Sequence, residues 1–180
     1  MLRFIILFSL LLISYSNADN KKKIIENLNN TLNFNFEFEQ NINGKIENGN
    51  CTIEYPKKIY CVYKKNNKVL VSNGKSLVIK TISSYYRYPI IKTPLNLILD
   101  KNFLISKMDS LEEKIIDQSY ISYTILENEN KIDIFFDINS FDLIGWQTKD
   151  VYQNTALTLI YFISKNKKLD KNLFELPKQN

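Results

Sequence analysis

The chain has 180 residues, 44% of them hydrophobic, and a formal net charge of +5 at pH 7. It contains no histidine and two cysteines, which excludes a catalytic triad and leaves too few soft ligands for a metal site. The lysines are scattered among asparagines and acidic residues, so the positive charge does not indicate a nucleic-acid-binding face.

The first eighteen residues have the three parts of a secretory signal peptide. Arg3 precedes an apolar run over residues 4–13, and a Ser-Asn-Ala cleavage pattern ends at Ala18. The run has ten residues, whereas a helix needs about 20 to span a bilayer; an uncleaved membrane anchor is the alternative. The sequence therefore predicts an exported protein with a single domain over residues 19–180.

A helical pattern follows the leader. Asp19 or Asn20 is suited to cap the helix, and apolar residues then recur at helical spacing: Ile24, Ile25, Leu28 and Leu32. The spacing predicts an amphipathic helix of about three turns. Such a stripe ordinarily packs on a core.

The hydrophobic period then changes to two. Phe34, Phe36 and Phe38 alternate with polar residues, which is typical of a half-buried strand with an aromatic face. Gly44 marks a turn into a second strand near residues 45–48.

A hairpin is predicted with strands over residues 52–55 and 59–63; Cys51 lies just before the first strand and Cys61 within the second. The register that brings Cys51 opposite Cys61 also pairs apolar with apolar and acid with base: Ile53 with Ile59, and Glu54 with Lys58. An exported protein meets an oxidising environment, so a disulfide is favoured. A two-residue turn at Pro56-Lys57 would shift the register and separate the sulfurs.

A second hairpin is indicated by Asn73-Gly74 between two apolar runs, since an Asn-Gly pair accepts positive φ at both positions. A turn centred there pairs Val69 with Val78. The Tyr-rich stretch over residues 85–89 predicts an aromatic strand; stacking of bases or sugars is the other interpretation.

Thr93 and Pro94 suit the start of a short helix whose members are apolar almost all round: Leu95, Leu97, Ile98 and Leu99. Strands are predicted again from Ser119 onward, over Tyr120–Leu126, Lys131–Ile138, Leu143–Val151 and Ala156–Ser164. Successive strands joined by short turns indicate an antiparallel meander.

Strand alternation and helical spacing predict which side chains point inward and line an apolar cavity. They are Phe34, Phe36, Phe38, Ile53, Val71, Ile134 and Leu159 from the strands, with Leu28, Leu97 and Ile98 from the helices. A one-residue slip would turn the set of a whole strand outward.

Residues that could perform catalysis are scarce. The chain has no P-loop, no Gly-rich phosphate loop and nothing that resembles an activated nucleophile. We therefore expect a binding protein that is not an enzyme and needs no cofactor. An extracytoplasmic hydrolase on a β scaffold is the alternative of a different class.

Several stretches, in order, resemble the LolA family of periplasmic lipoprotein carriers. The most specific is the run from Val69 to Leu77, which is similar to the family's strand, turn and returning strand. The others are the helix before the strand ending at Gln40, the strand pair around Pro56, Thr93-Pro94 before an apolar helix, and the ending with Gly145–Asp150, Leu169-Asp170 and Phe174.

The resemblance implies a mainly β fold, an unclosed antiparallel β-barrel with a helical lid over a hydrophobic cavity. It implies a periplasmic monomer that takes lipidated lipoproteins from an inner-membrane ABC transporter and passes them to an outer-membrane acceptor. Each acyl CH₂ removed from water gains about 0.8 kcal/mol, so such chains need a cover.

The sequence departs from the family pattern at three positions. The family has Arg immediately before the hairpin proline, where it helps to latch the lid, and Tyr55 stands there in this chain. The resemblance thus predicts that the Tyr55 hydroxyl donates to a carbonyl of the lid. The family has an apolar residue at position 51 and an aromatic residue at 61, so a Cys51–Cys61 disulfide would be a local variation.

Two related functions are alternatives. The acceptor LolB shares the fold, but it is a lipoprotein with Cys just after its leader, where this chain has Asp19. A lipid-sensing envelope regulator of the same fold would usually have a second domain. Another extracytoplasmic lipid-binding function therefore stays open beside the carrier.

Overall fold

The structure is a computed structural model that describes residues 19–65, 67–127, 130–149 and 154–179. The predicted signal peptide, and the end of the strand predicted over residues 143–151, lie outside the described residues.

The described residues form one eleven-stranded antiparallel sheet and a few helices. Helix α1 covers residues 19–30, a 3₁₀ turn covers Ile90–Lys92, and two short helices follow, α2 (Leu95–Ile98) and α3 (Lys101–Met108). The strands are β1 (Asn33–Ile42), β2 (Lys45–Glu54), β3 (Lys58–Tyr63), β4 (Val69–Asn73), β5 (Ser76–Lys80), β6 (Tyr85–Pro89), β7 (Lys114–Ile116), β8 (Tyr120–Glu127), β9 (Asn130–Asp137), β10 (Leu143–Lys149) and β11 (Thr155–Lys165).

The strand order is β6-β5-β4-β3-β2-β1-β11-β10-β9-β8-β7. The sheet therefore begins at β6 and ends at β7, and it is not closed into a barrel. The mainly β, unclosed antiparallel architecture expected from the sequence is confirmed. Strand β1 lies at the centre, where it pairs with β2 on one side and with β11, from the other end of the chain, on the other side.

The central strand follows its sequence alternation. Phe34, Phe36 and Phe38 are buried, and the polar residues between them are only partly covered. Phe38 lies over Gly49 of β2, where any Cβ would be 2.7 Å from the ring. The glycine thus allows the aromatic face of β1 to pack closely on its neighbour.

The register predicted for the cysteine hairpin is confirmed. Cys51 pairs with Cys61, Ile53 with Ile59 and Glu54 with Lys58, and the two sulfurs form a disulfide. The turn holds three residues, Tyr55 to Lys57, with a cis peptide bond before Pro56.

The pairing predicted for the Asn73-Gly74 hairpin is wrong by two residues. Val69 pairs with Lys80 and Val71 with Val78, so the loop is Gly74-Lys75. Asn73 is the last residue of β4 and not part of the loop. Its side-chain oxygen accepts hydrogen bonds from the backbone N–H groups of Lys75 and Ser76. The Asn-Gly turn with positive φ at both residues occurs at Asn43-Gly44 instead.

The helices differ from the predictions at their ends. Asp19 and Asn20 both lie within α1, so neither is its cap, and Leu32 lies beyond the helix with 63% of its surface exposed. Helix α3 was not predicted. Its signals are Asp100, whose carboxylate accepts from the Phe103 N–H as an N-cap, and Leu104 and Met108 at helical spacing.

Reduction of the disulfide should destabilise the protein without unfolding it. The bond joins residues only ten apart, and closing so short a loop is worth about 2–3 kcal/mol. Urea unfolding of the oxidised and the reduced protein measures the difference. The Cys51→Ala/Cys61→Ala double variant is the control, because it shows what loss of the buried sulfurs adds. Two free thiols on titration of the unreduced, unfolded protein would contradict the bond.

Candidate functional site: the inner face of the sheet and its helical cover

One face of the sheet, here called the inner face, is apolar and covered by the helices. A single buried cluster joins the two parts. The helices contribute Ile24, Leu28, Ile98, Leu104 and Met108, and Leu99 follows α2 directly. The strands contribute, among others, Phe34, Phe36, Phe38, Ile53, Ile59, Ile121, Tyr123, Ile132, Ile134 and Phe136. The three helical segments therefore form a lid on the sheet.

Most of the residues predicted to point inward lie in this cluster. They are Phe34, Phe36, Phe38, Ile53, Ile134, Leu28 and Ile98, while Leu97 is partly buried and packs against the cluster. The disulfide lies on the same face, because Cys51 is directly opposite Phe36.

Val71 was predicted to point inward, and that orientation is wrong. Ile59 of the inner face is paired with Ser72, so Val71 lies on the opposite, outer face, paired with Tyr60 and Val78. It is nevertheless only 1% exposed. The C-terminal segment crosses this outer face, since the Lys58 ammonium lies 5.7 Å from the Phe174 ring and the Lys80 ammonium donates to the Lys178 carbonyl.

The inward orientation of Leu159 is also wrong. Phe38 is opposite Ile160, and Glu39 is opposite Leu159, so the inner face of β11 is formed by Thr158 and Ile160. The sequence misleads here because the outer positions of this strand are as apolar as the inner ones. The pairing of β1 with β11 has a bulge between Asn35 and Glu37, and Phe162 in the facing part of β11 has a positive φ. Beyond this bulge the faces of β11 are exchanged, and Ile163 packs against the buried cluster.

The space beneath the lid is largely filled. Between α1 and the sheet lies a cavity of about 20 Å³, which is room for about one water molecule. The sequence predicts an apolar cleft there. The apolar side chains of the helices occupy it, so an acyl chain could enter only if the lid moved.

Two lysines tie the helices together in a reciprocal way. Lys21, near the start of α1, donates to the carbonyls of Asp109 and Leu111 just beyond α3, at 3.3 and 2.7 Å. Lys101, the first residue of α3, donates to the carbonyls of Asn29 and Thr31 at the end of α1, at 3.1 and 2.8 Å. Each helix thus has its C-terminal carbonyls satisfied by a lysine of the other, as helix ends prefer.

The lid is also tied to the tip of the cysteine hairpin. The Lys57 N–H donates to the Leu99 carbonyl at 2.7 Å, and the Lys57 ammonium lies 3.2 Å from the Asp100 carboxylate. The predicted latch bond from Tyr55 is absent, because its hydroxyl is buried without a hydrogen-bond partner among the described residues. The neighbouring Lys57 makes the contact between hairpin and lid.

The Tyr55 ring lies in the wall of the small cavity. It packs 5.9 Å from the Phe34 ring, and burial raises the pKa of the hydroxyl above its usual value. On another side of the cavity, the Lys165 ammonium donates to Asp142 and Asn27 at 2.7 and 2.8 Å. The Asn27 amide donates to the same Asp142 carboxylate at 2.8 Å. This network joins the middle of α1 to strand β11.

A second polar group lies at the other end of the inner face. Gln40 is opposite both Glu47 and Thr158, and its side-chain amide donates to the Thr158 hydroxyl at 3.0 Å. Burial alone would raise the pKa of Glu47, but the hydrogen bond and charge of Lys68 lower it below its usual value. The inner face therefore changes from aromatic to polar along β1.

Removing the Tyr55 hydroxyl should stabilise the protein or leave its stability unchanged. A buried donor without a partner costs about 1–3 kcal/mol, and Tyr55→Phe removes that cost while it keeps the ring. We expect the urea midpoint to stay or rise. Tyr123→Phe is the matched control, since the Tyr123 hydroxyl donates to Glu113 at 2.8 Å and its removal should lower the midpoint. A loss for Tyr55→Phe as large as that for Tyr123→Phe would show that Tyr55 has a partner.

Neither a metal site nor a membrane-spanning helix is found in the described residues. There, His, Cys, Asp and Glu side chains do not come together in groups of three or more that could hold a metal ion. The helices of the same residues are too short or too polar to cross a membrane.

Comparison with solved structures finds similar chains at low sequence identity. The lipoprotein LppX of Mycobacterium tuberculosis is 8% identical with a TM-score of 0.47, and covers 86% of this chain and 98% of its own. A domain of a putative outer membrane lipoprotein-sorting protein from Vibrio parahaemolyticus is 6% identical with a TM-score of 0.46, covering 89% and 95%. LprF of Mycobacterium bovis is 9% identical with a TM-score of 0.46, covering 87% and 96%.

Comparison with curated protein sequences finds no match. A family model, in contrast, matches most of the domain. It is that of the outer membrane lipoprotein carrier protein LolA, and it matches residues 29–177, which include all the strands and the helices α2 and α3. The chain therefore belongs to the LolA family.

Proposed function

We propose that this protein is a periplasmic carrier that covers the acyl chains of lipoproteins released from the inner membrane and delivers them to an outer-membrane acceptor. The observation that supports it most is the apolar inner face of an unclosed sheet, covered by short helices rather than by a second sheet. Membership of the LolA family supports the same function, and the leader over residues 1–18 supports export.

The closed lid and a bound acyl chain would compete for the same surface. The helices and Leu99, which follows α2, bury six apolar side chains on the inner face, and exposing such a side chain costs about 1.5–3 kcal/mol. Removing a 16-carbon chain from water gains roughly 12 kcal/mol at about 0.8 kcal/mol per CH₂. The two quantities are similar, so the protein can bind the chain and still release it, because lid closure lowers the net affinity.

No chemical step is needed for this function. The free energy of binding comes from moving apolar surface from water to protein. The same free energy must be supplied again when the chain leaves for the acceptor. The contacts of Lys21 and Lys101 between the helices, here called the lysine clamps, suit this role. Water can hydrogen-bond to their carbonyl partners when the helices separate.

The carrier function is tested by transfer of a lipoprotein from detergent into a soluble complex. The mature chain, residues 19–180, is mixed with a triacylated lipoprotein in micelles, the detergent is removed, and the mixture is separated by gel filtration. We expect the lipoprotein to elute with the carrier. An unacylated form of the same lipoprotein is the control and should not. Absence of a complex with the acylated form would contradict the proposal.

Loss of a lysine clamp should make the lid open more readily. Lys101→Met removes two charge-assisted hydrogen bonds to carbonyls of the α1 end, each worth about 1.5–3 kcal/mol at most. We expect binding of the neutral apolar probe N-phenyl-1-naphthylamine to the empty protein to increase severalfold. The control is Lys22→Met, which removes the same charge from an exposed position on α1. Equal probe binding by the two variants would show that Lys101 does not hold the lid.

A further inference from the structure

The Tyr55 hydroxyl is the starting observation. It is buried, and it has no hydrogen-bond partner among the described residues. An unpartnered buried hydroxyl is costly in a closed protein, and burial keeps the phenol protonated by raising its pKa. The group is therefore a neutral donor that lacks an acceptor.

The cavity beside Tyr55 is apolar on one side and polar on the other. Leu28, Phe34 and Leu143 line it together with Asn27, Asp142 and Lys165. The charge of Lys165 is already balanced by the Asp142 carboxylate at 2.7 Å. The site therefore offers a hydroxyl donor next to a balanced ion pair, which suits a neutral acceptor. The Lys101 ammonium lies 5.9 Å from the Tyr55 ring, and it donates to the carbonyls of Asn29 and Thr31.

The cavity also continues the apolar inner face. Phe34 and Leu28 each belong both to the cavity wall and to the buried cluster beneath the lid. A chain that lay on the inner face next to Phe34 would place its end beside Tyr55. The volume of about 20 Å³ accepts one oxygen atom, as it accepts one water.

We propose that this cavity binds the carbonyl oxygen at the polar end of an acyl chain, with the Tyr55 hydroxyl as its donor. The proposal rests on the proposed carrier function and adds the polar contact within the same site. Ester-linked and amide-linked chains have this chemistry in common, since each has a neutral carbonyl oxygen next to the hydrocarbon.

The test compares ligands that differ only in the carbonyl. Methyl dodecanoate and N-methyl dodecanamide have the carbonyl, and methyl dodecyl ether lacks it. The affinity of each ligand is measured by its displacement of N-phenyl-1-naphthylamine from the mature chain. We expect wild type to bind the carbonyl ligands about three- to tenfold more tightly than the ether, as one neutral hydrogen bond allows. Tyr55→Phe should lose that preference and keep its affinity for the ether.

Tyr60→Phe is the matched control. Tyr60 lies on the outer face, where it is paired with Val71, away from the inner face and the cavity lining. It should keep the preference for the carbonyl. Whichever carbonyl ligand loses more affinity in Tyr55→Phe identifies the ester or the amide as the source of the acceptor.

Two different failures can be told apart. If the ligands bind but Tyr55→Phe keeps the wild-type preference for the carbonyl, the proposed contact is overturned. If none of the ligands displaces the probe from any of the three proteins, the carrier function itself is contradicted.

Discussion

The inner face of the sheet must be covered, and the rest of the structure depends on how that is done. Its centre is the aromatic row of β1, continued by aliphatic residues on both sides. The sheet is not closed on itself, and a second sheet does not face it among the described residues. Since exposed apolar surface of this extent is unfavourable in water, short helices from two separate parts of the chain pack on it.

The cover is apolar where it meets the sheet and polar where it is held in place. Its contacts with the inner face are side chains such as Leu28, Ile98 and Met108, which have no directional preference. Its fixed contacts are hydrogen bonds from Lys21, Lys101 and the Lys57 backbone to carbonyls. A ligand with acyl chains can replace the first kind of contact, and water can replace the second. Both kinds are reversible, as the proposed carrier function requires.

The parts of the fold that follow from local pattern could be predicted from the sequence. The alternation of Phe34 to Phe38, the register of Cys51 with Cys61 and the presence of a short helix after Thr93 depend on neighbours along the chain. The predicted cap of that helix is wrong by one residue, since Pro94 and not Thr93 is its N-cap. The orientation of Val71 and Leu159 could not, because both faces of their strands are apolar and the C-terminal segment covers one outer face. The position of α3 was missed although Asp100 and Leu104 signal it.

The hairpin tip and the lid are joined without a hydrogen bond from the Tyr55 hydroxyl. The Lys57 N–H donates to the Leu99 carbonyl and the Lys57 ammonium pairs with Asp100, while the Tyr55 ring lies 5.9 Å from the Lys101 ammonium. The side chain at position 55 is then free of a structural hydrogen bond, and it keeps a hydroxyl at a place where a phenyl ring would pack as well. A buried group that costs stability in the empty protein is most simply explained by an acceptor that arrives with the ligand.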